Sequence, residues 1–238
     1  MNKSKIQELF DFDKSMSKNY DFVIGTDEAG RGPGAGPVFA AAVCFSEDID
    51  EEILEKLKIL NDSKQLTEKK RDELFENIIY LQTQGKCICS IQDGSVEQIE
   101  KINILNTSLD CMKRACEEVK TQLKSSTSNT LVDGNRLIKN YPHSQTTVVK
   151  GDSKSAAIAA ASILAKVSRD RFMDKLAEQF PQYNWKKNKG YLSAEHINAI
   201  KEFGATKWHR KKFLRKILEE QTQDITETKK NKGQLSLF

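Results

Sequence analysis

Residues 20–45 read YDFVIGTDEAGRGPGAGPVFAAAVCF, and this stretch decides the fold. Tyr20 to Thr26 is an apolar run of strand length that ends at two acids, Asp27 and Glu28. Glycine and proline punctuate the chain from Gly30 to Gly34, which predicts a turn. Val38 to Phe45 is a second apolar strand, so the two strands and their short link predict an antiparallel hairpin.

Working outward, Glu51 to Lys58 and Glu68 to Gln82 carry helical periodicity, with Thr67 placed to cap the second. Lys86 to Gln92 predicts a strand, Ile104 to Lys124 a long helix and Ser125 to Asn129 a loop. Thr130 to Asp133 is a short strand ending in Asp-Gly, and Thr146 to Lys150 another strand. Ser155 to Phe172 is alanine-rich and apolar on nearly every side, the signature of a buried helix. Ser193 to Phe203 and His209 to Leu218 predict shorter helices, and Ile6, Leu9 and Phe10 share one face of a helix near the N-terminus. Strands interspersed with helices make a mixed α/β domain.

With 30 % charged and 8 % aromatic residues in 238, the chain has a globular profile, and no run approaches a membrane span. The basic start, Met1 to Lys5, is followed by no apolar stretch of the secretory kind, so a cytoplasmic protein is expected. The five cysteines are scattered and odd in number, which predicts free thiols. Cys87 and Cys89 alternate with Ile88 and Ser90 in a strand pattern, and no second pair has zinc-ligand spacing. The histidines, His143, His196 and His209, lack a nucleophile-and-base arrangement, so serine- or cysteine-type catalysis gains no support. The net charge of +4 is unevenly spread. Residues 181–218 hold ten lysines and arginines against two acids, leaving the remainder at −4. A basic region beside an acidic body fits contact with a polyanion, and it fits a solvated lysine-rich face as well.

Four acids stand at the ends of core elements. Asp27 and Glu28 follow the first strand, Asp133 follows Leu131-Val132, and Asp152 lies between a strand and the buried helix. Strand ends on one edge of an α/β sheet converge on a crevice. Carboxylates gathered there repel one another unless a cation intervenes, and hard ions such as Mg²⁺ take oxygen ligands. Each acid also has a plainer reading: Asp152 as a helix cap, Asp133-Gly134 as a hairpin turn, Asp27-Glu28 as a solvated strand end.

The motifs resemble those of ribonuclease HII. Asp27-Glu28-Ala29-Gly30-Arg31-Gly32-Pro33, continued by Ala35-Gly36-Pro37-Val38 and Ala40-Ala41-Ala42-Val43, is similar to the family's N-terminal signature. Asn61-Asp62-Ser63-Lys64-Gln65-Leu66 resembles its D-S-K-x-L segment. Leu131-Val132-Asp133-Gly134-Asn135 and Val149-Lys150-Gly151-Asp152 resemble its third and fourth carboxylate motifs. Ala160 to Val167 with Arg169-Asp170, then Asn188-Lys189-Gly190-Tyr191, and Gly204-Ala205-Thr206 with His209-Arg210 complete the series. The likeness runs in order from about Asp21 to Leu218.

The resemblance implies an α/β fold of the ribonuclease H-like kind: a mixed sheet flanked by helices, with a small helical C-terminal region. It implies an endonuclease that hydrolyses the phosphodiester 5′ to a ribonucleotide in duplex DNA or an RNA–DNA hybrid. Two Mg²⁺ or Mn²⁺ ions would serve it, leaving 3′-hydroxyl and 5′-phosphate ends in ribonucleotide excision repair and primer removal. Asp27, Glu28, Asp133 and Asp152 would bind metal and carry catalysis. Gly30, Arg31 and Gly32 would read the ribose 2′-hydroxyl, the group that distinguishes RNA from DNA. Tyr191 would stack on the following sugar, Lys64 and Lys189 would touch phosphates, and Asp170, within a helix, would support the fold or the metal ligands rather than bind metal itself. Where the family often has leucine or valine, this chain has Gly34, which leaves room for a looser loop.

The last residues, Gln234-Leu235-Ser236-Leu237-Phe238, resemble the peptide that binds the bacterial DNA sliding clamp. Gln234, Leu235, Leu237 and Phe238 would fill its groove, with the polar stretch 219–233 as a flexible linker. The expected organisation is a helical extension over 1–19, a catalytic domain over 20–180, a basic helical substrate-binding region over 181–218, the linker, and the clamp peptide over 234–238. A monomer is expected, with no membrane partner. Two rival readings remain: a ribonuclease HIII-type enzyme acting on long hybrids, which would need an N-terminal platform domain before Asp27, and a non-catalytic nucleic-acid- or clamp-binding module.

Overall fold

The computed structural model describes residues 4–60, 66–123, 127–215, 217 and 219. Five strands form one sheet: β1 (Phe22–Ala29), β2 (Val38–Phe45), β3 (Cys87–Gly94), β4 (Ser128–Asp133) and β5 (Gln145–Val148), in the order β3-β2-β1-β4-β5. β1–β2 and β2–β3 pair antiparallel, as the glycine-rich link requires, whereas β1–β4 and β4–β5 pair parallel. The sheet is therefore mixed. The parallel pairing of β4 with β5 removes the hairpin reading of Asp133-Gly134.

Both faces of the sheet are covered, which is why β2 is apolar throughout. Ala41, Val43 and Phe45 join a core with α1 (Lys5–Met16), α2 (Glu51–Lys56), α3 (Glu68–Thr83) and α6 (Ala156–Gln179). Ala40, Ala42 and Cys44 alternate to the opposite face, against α4 (Val96–Ile102) and α5 (Ile104–Gln122). The expected face of α1, Ile6, Leu9 and Phe10, is buried. A third cluster joins the second half of α6 to α7 (Trp185–Asn188) and α8 (Ala194–Phe203) through Met173, Leu176, Tyr183, Trp185 and Ile200. All five cysteines are buried free thiols. Burial pushes Cys44 and Cys116 up to about 12, so they behave as inert core residues.

Several boundaries differ from those the sequence predicts. β1 continues through Asp27 and Glu28 because its pairing with β2 continues, Asp27 opposite Ala41 and Ala29 opposite Phe39. α6 runs past Phe172 to Gln179, where all-round burial gives way to one buried face. Ser128 and Asn129 belong to β4 rather than to a loop. α4 has no counterpart among the expected helices, although Ser95 and Gln98 form a capping box at its start. The last helix begins at residue 211, because His209 bridges to Ala35 instead. Residue 219 is helical; Lys64, residues 220–233 and the peptide 234–238 lie outside the described residues.

Candidate active site

The start of α6 fixes the site. At Gly25 a Cβ would fall 2.3 Å from the backbone of Ala157 and Ile158, so only glycine lets α6 lie directly on β1. Ser155 caps α6 by accepting from the Ile158 amide, which displaces the capping reading of Asp152. Two turns along, Ser162 hydrogen-bonds the Asp27 carboxylate.

Parallel pairing sets Thr26 of β1 beside Val132 of β4, so Asp27 and Asp133 follow at neighbouring strand ends. Asp133 Oδ1 accepts from the Gly151 amide at 2.7 Å, which ties β4 to the turn carrying Asp152. Asp27 and Asp152 are buried, at 6 % and 8 % exposure; Glu28 and Asp133 are half-buried. Burial first, then the charges of Glu28 and Asp133, holds the Asp27 carboxyl well above the usual carboxylate range. The four acids thus share one end of the sheet. Among the described residues, no three His, Cys, Asp or Glu side chains are drawn together as a ready-made metal cage. The donor set nevertheless fits a hard cation: it is all carboxylate oxygen, and the repulsion at Asp27 is the kind a divalent ion relieves.

The glycine-rich loop lies beside these acids. Arg31 Nη1 reaches Glu28 Oε1 at 3.1 Å and stays half-exposed. A Cβ on Gly32 would stand 3.3 Å from the ring of Tyr191, so the loop and that ring are neighbours, and Tyr191 is 53 % exposed. At Gly34 the space a larger side chain would take is filled by Leu192, 2.6 Å from an added Cβ. Its amide donates to Gly190 O and its carbonyl accepts from the Arg210 amide, so the loop is tied rather than loose. The Lys189 ammonium pairs with Asp174 and is 15 % exposed. Asp170 pairs with Lys166 one turn earlier, a contact within α6.

Sequence reasoning assigned no role to Ser162, Arg169 or Arg210, although all three stand in quoted motifs. The two arginines are fully buried and hydrogen-bond carbonyls of the loop over residues 30–37. His196 and His209 sit behind Tyr191 in a buried cluster with Tyr183 and Trp185, their Nε2 atoms 3.1 Å apart. Burial, then the neighbouring His196, pulls His209 down to about 4, so it is neutral and packed. On the outer surface of the same region Lys186, Lys187, Lys201, Lys207, Lys211 and Lys212 are exposed. No helix among the described residues is long and apolar enough to cross a membrane.

The profile of the family "Ribonuclease HII" matches residues 24–217. The Ribonuclease HII of Fusobacterium nucleatum subsp. nucleatum is 49 % identical over 201 residues, 84 % of this chain and 89 % of that one. Among solved structures, the ribonuclease H2 from Pyrococcus horikoshii superposes with a TM-score of 0.62 at 26 % identity, covering 84 % of this chain and 99 % of that one. A chain of the PCNA:RNase HII complex from Archaeoglobus fulgidus gives 0.61 at 28 % identity, covering 79 % and 93 %. The chain belongs to the ribonuclease HII family, and it is a ribonuclease H, an endonuclease of the hydrolase class.

Proposed function

We propose that this enzyme hydrolyses the phosphodiester on the 5′ side of a ribonucleotide embedded in duplex DNA or in an RNA–DNA hybrid, leaving 3′-hydroxyl and 5′-phosphate ends. The observation that carries the reading is the meeting of Asp27, Asp133 and the Asp152 turn at one end of the sheet, beside a glycine loop and the exposed Tyr191 ring. Asp27, Glu28, Asp133 and Asp152 would hold two divalent ions, Mg²⁺ or Mn²⁺. Such a pair supplies an activated water and charge stabilisation for the leaving oxygen.

The chain's own groups do the selecting. The backbone of Gly30, Arg31 and Gly32 meets the 2′-hydroxyl, and Tyr191 offers a ring face to the next sugar. Arg31, held on Glu28, places a positive charge next to the acids. The exposed lysines of residues 181–215 bind duplex phosphates without reading sequence. Lys64 adds a phosphate contact, and Lys189 adds another once a phosphate competes with Asp174 for its ammonium. The enzyme works in the cytoplasm, in ribonucleotide excision repair and RNA primer removal, as a monomer. Residues 219–233 tether it to the sliding clamp through Gln234, Leu235, Leu237 and Phe238; the Archaeoglobus relative, solved with PCNA, fits this tethering.

The test compares wild type with Asp27→Asn on a duplex carrying one ribonucleotide, with Mg²⁺ and with chelator. Metal-dependent turnover that the variant loses while remaining folded is expected. Turnover in chelator, or a fully active variant, contradicts the reading.

A further inference from the structure

Arg169 and Arg210 are 1 % and 0 % exposed, and neither makes an ion pair among the described residues. A buried charge without a counter-ion is costly unless hydrogen bonds satisfy it fully. Here backbone carbonyls do so. Arg210 donates to the carbonyls of Gly30 (2.7 Å), Pro33 (2.8 Å), Gly36 (2.9 Å), Pro37 (3.2 Å) and Arg31 (3.3 Å). Arg169 donates to Ala35 (3.1 Å), Pro37 (3.1 Å) and, across the neighbouring loop, Lys189 (2.9 Å). The loop is wrapped round two guanidiniums. Gly30 presses on one of them: its φ is +100°, and a Cβ there would fall 2.1 Å from Arg169 Nε.

Peptide planarity turns this into a statement about donors. In a trans peptide the C=O of one residue and the N–H of the next point in opposite directions, and no peptide bond in the described residues is cis. With the carbonyls of Gly30 and Arg31 facing inward, the amides of Arg31 and Gly32 face outward. The same alternation is visible further along. Pro33 O and Ala35 O face the guanidiniums, and the next amides, Gly34 and Gly36, donate away from them to Gly190 O and Trp208 O. Proline at 33 and 37 has no amide to leave unpaired. Among the described residues the amides of Arg31 and Gly32 have no protein acceptor, which leaves two aligned donors for an oxygen of the substrate.

We propose that Arg169 and Arg210 are positioning residues for ribonucleotide recognition: they hold the carbonyls of residues 30–37 inward and so aim the Arg31 and Gly32 amides at the ribose. This rests on the loop's reading of the 2′-hydroxyl proposed above. The assignment separates two roles for positive charge in the enzyme. Surface lysines bind any duplex, whereas these interior guanidiniums set the preference for a ribonucleotide without touching it. The choice of arginine matters too, because lysine carries one point charge and cannot hold several carbonyls in a fixed fork.

The test measures affinity for a duplex with one ribonucleotide and for the same all-DNA duplex, in Ca²⁺, for wild type, Arg169→Lys and Arg210→Lys, with a thermal melt of each. The expected result is a fall of about tenfold in the ratio of the two affinities, the effect of losing one or two well-aimed hydrogen bonds. All-DNA affinity should stay within about twofold, because phosphate contacts dominate it. Lysine variants that lower the melting temperature yet keep the wild-type ratio overturn the proposal, since the arginines would then be structural only. A wild type that binds both duplexes equally overturns the loop's reading itself, and this proposal with it. Should neither variant fold, wild type labelled with ¹⁵N-arginine decides. Two guanidiniums with slowly exchanging Nε–H protons, protected with and without the ribonucleotide duplex, are expected; rapid exchange in either state overturns the proposal.

Discussion

On the proposed reading, Asp27 joins stability to activity in one side chain. It is buried, its charge is opposed by Glu28 and Asp133, and hydrogen bonds from the Glu28 amide and Ser162 only partly offset this. Asp27→Asn keeps the acceptor and removes the charge. We expect turnover to fall by about 10²–10³-fold, as for loss of one charge-stabilising group, while the melting temperature rises; a fall in both measurements would contradict this account. Tyr191 is the opposite case, exposed and poised over Gly32. Tyr191→Ala should change stability by less than about 0.5 kcal/mol but raise KM for a single-ribonucleotide duplex, which steady-state kinetics beside a urea titration would check. The strand-end positions of Asp27, Glu28 and Asp133 were legible in the sequence because an acid ending an apolar run is visible one residue at a time. Arg169 and Arg210 were not. Their partners in the loop over residues 30–37 are backbone carbonyls more than 130 residues away in the chain, and a carbonyl leaves no mark in a sequence.

α6 is the element on which the site is built. Glycine at position 25 lets it touch β1, and Gly25→Ala should force the two apart, lowering stability by about 1–3 kcal/mol and reducing activity through the Ser162–Asp27 contact. A shift in urea midpoint below that range would show that the layers can part freely. The start of α6 is also held from α1, where Asp13 Oδ2 accepts from the Ala157 amide at 2.9 Å. Burial dominates there and raises the Asp13 carboxyl from 3.8 to about 7. A raised acid keeps its proton in the fold longer than in the unfolded chain. Its contribution to stability is thus complete below pH 3.8 and is lost as pH rises through about 7. Asp13→Asn, which can still accept from Ala157, should gain on wild type progressively between pH 4 and 7 and level off above. A constant difference across that window, in urea midpoints measured at each pH, would remove Asp13 as the cause. At this scale α6 was foreseen from its alanine-rich run but cut short. Its last two turns are apolar on one face only, and the partner of that face, the α7–α8 region, is brought to it by tertiary packing. α4, at seven residues, is too short for periodicity to register, and only its capping box marks it.

Across the whole molecule, an acidic end, the proposed catalytic one, adjoins a lysine-rich surface, and each has a separable readout. Affinity for an all-DNA duplex should fall steeply with salt, with log K linear in log salt, and reversing Lys211 and Lys212 to glutamate should flatten that slope without moving the cut. Deleting residues 234–238 should abolish binding to the sliding clamp in a pull-down or surface-binding assay and leave cleavage of short free duplexes unchanged. Equal clamp affinity with and without the tail would end that reading. The most direct test of the central claim is to map the incision in two end-labelled duplexes identical except for one ribose or deoxyribose. The account predicts a single cut immediately 5′ to the ribonucleotide, with 3′-hydroxyl and 5′-phosphate ends, only when Mg²⁺ or Mn²⁺ is present, and no cut in the all-DNA control. Equal cutting of both duplexes, or none in either with metal supplied, would contradict it.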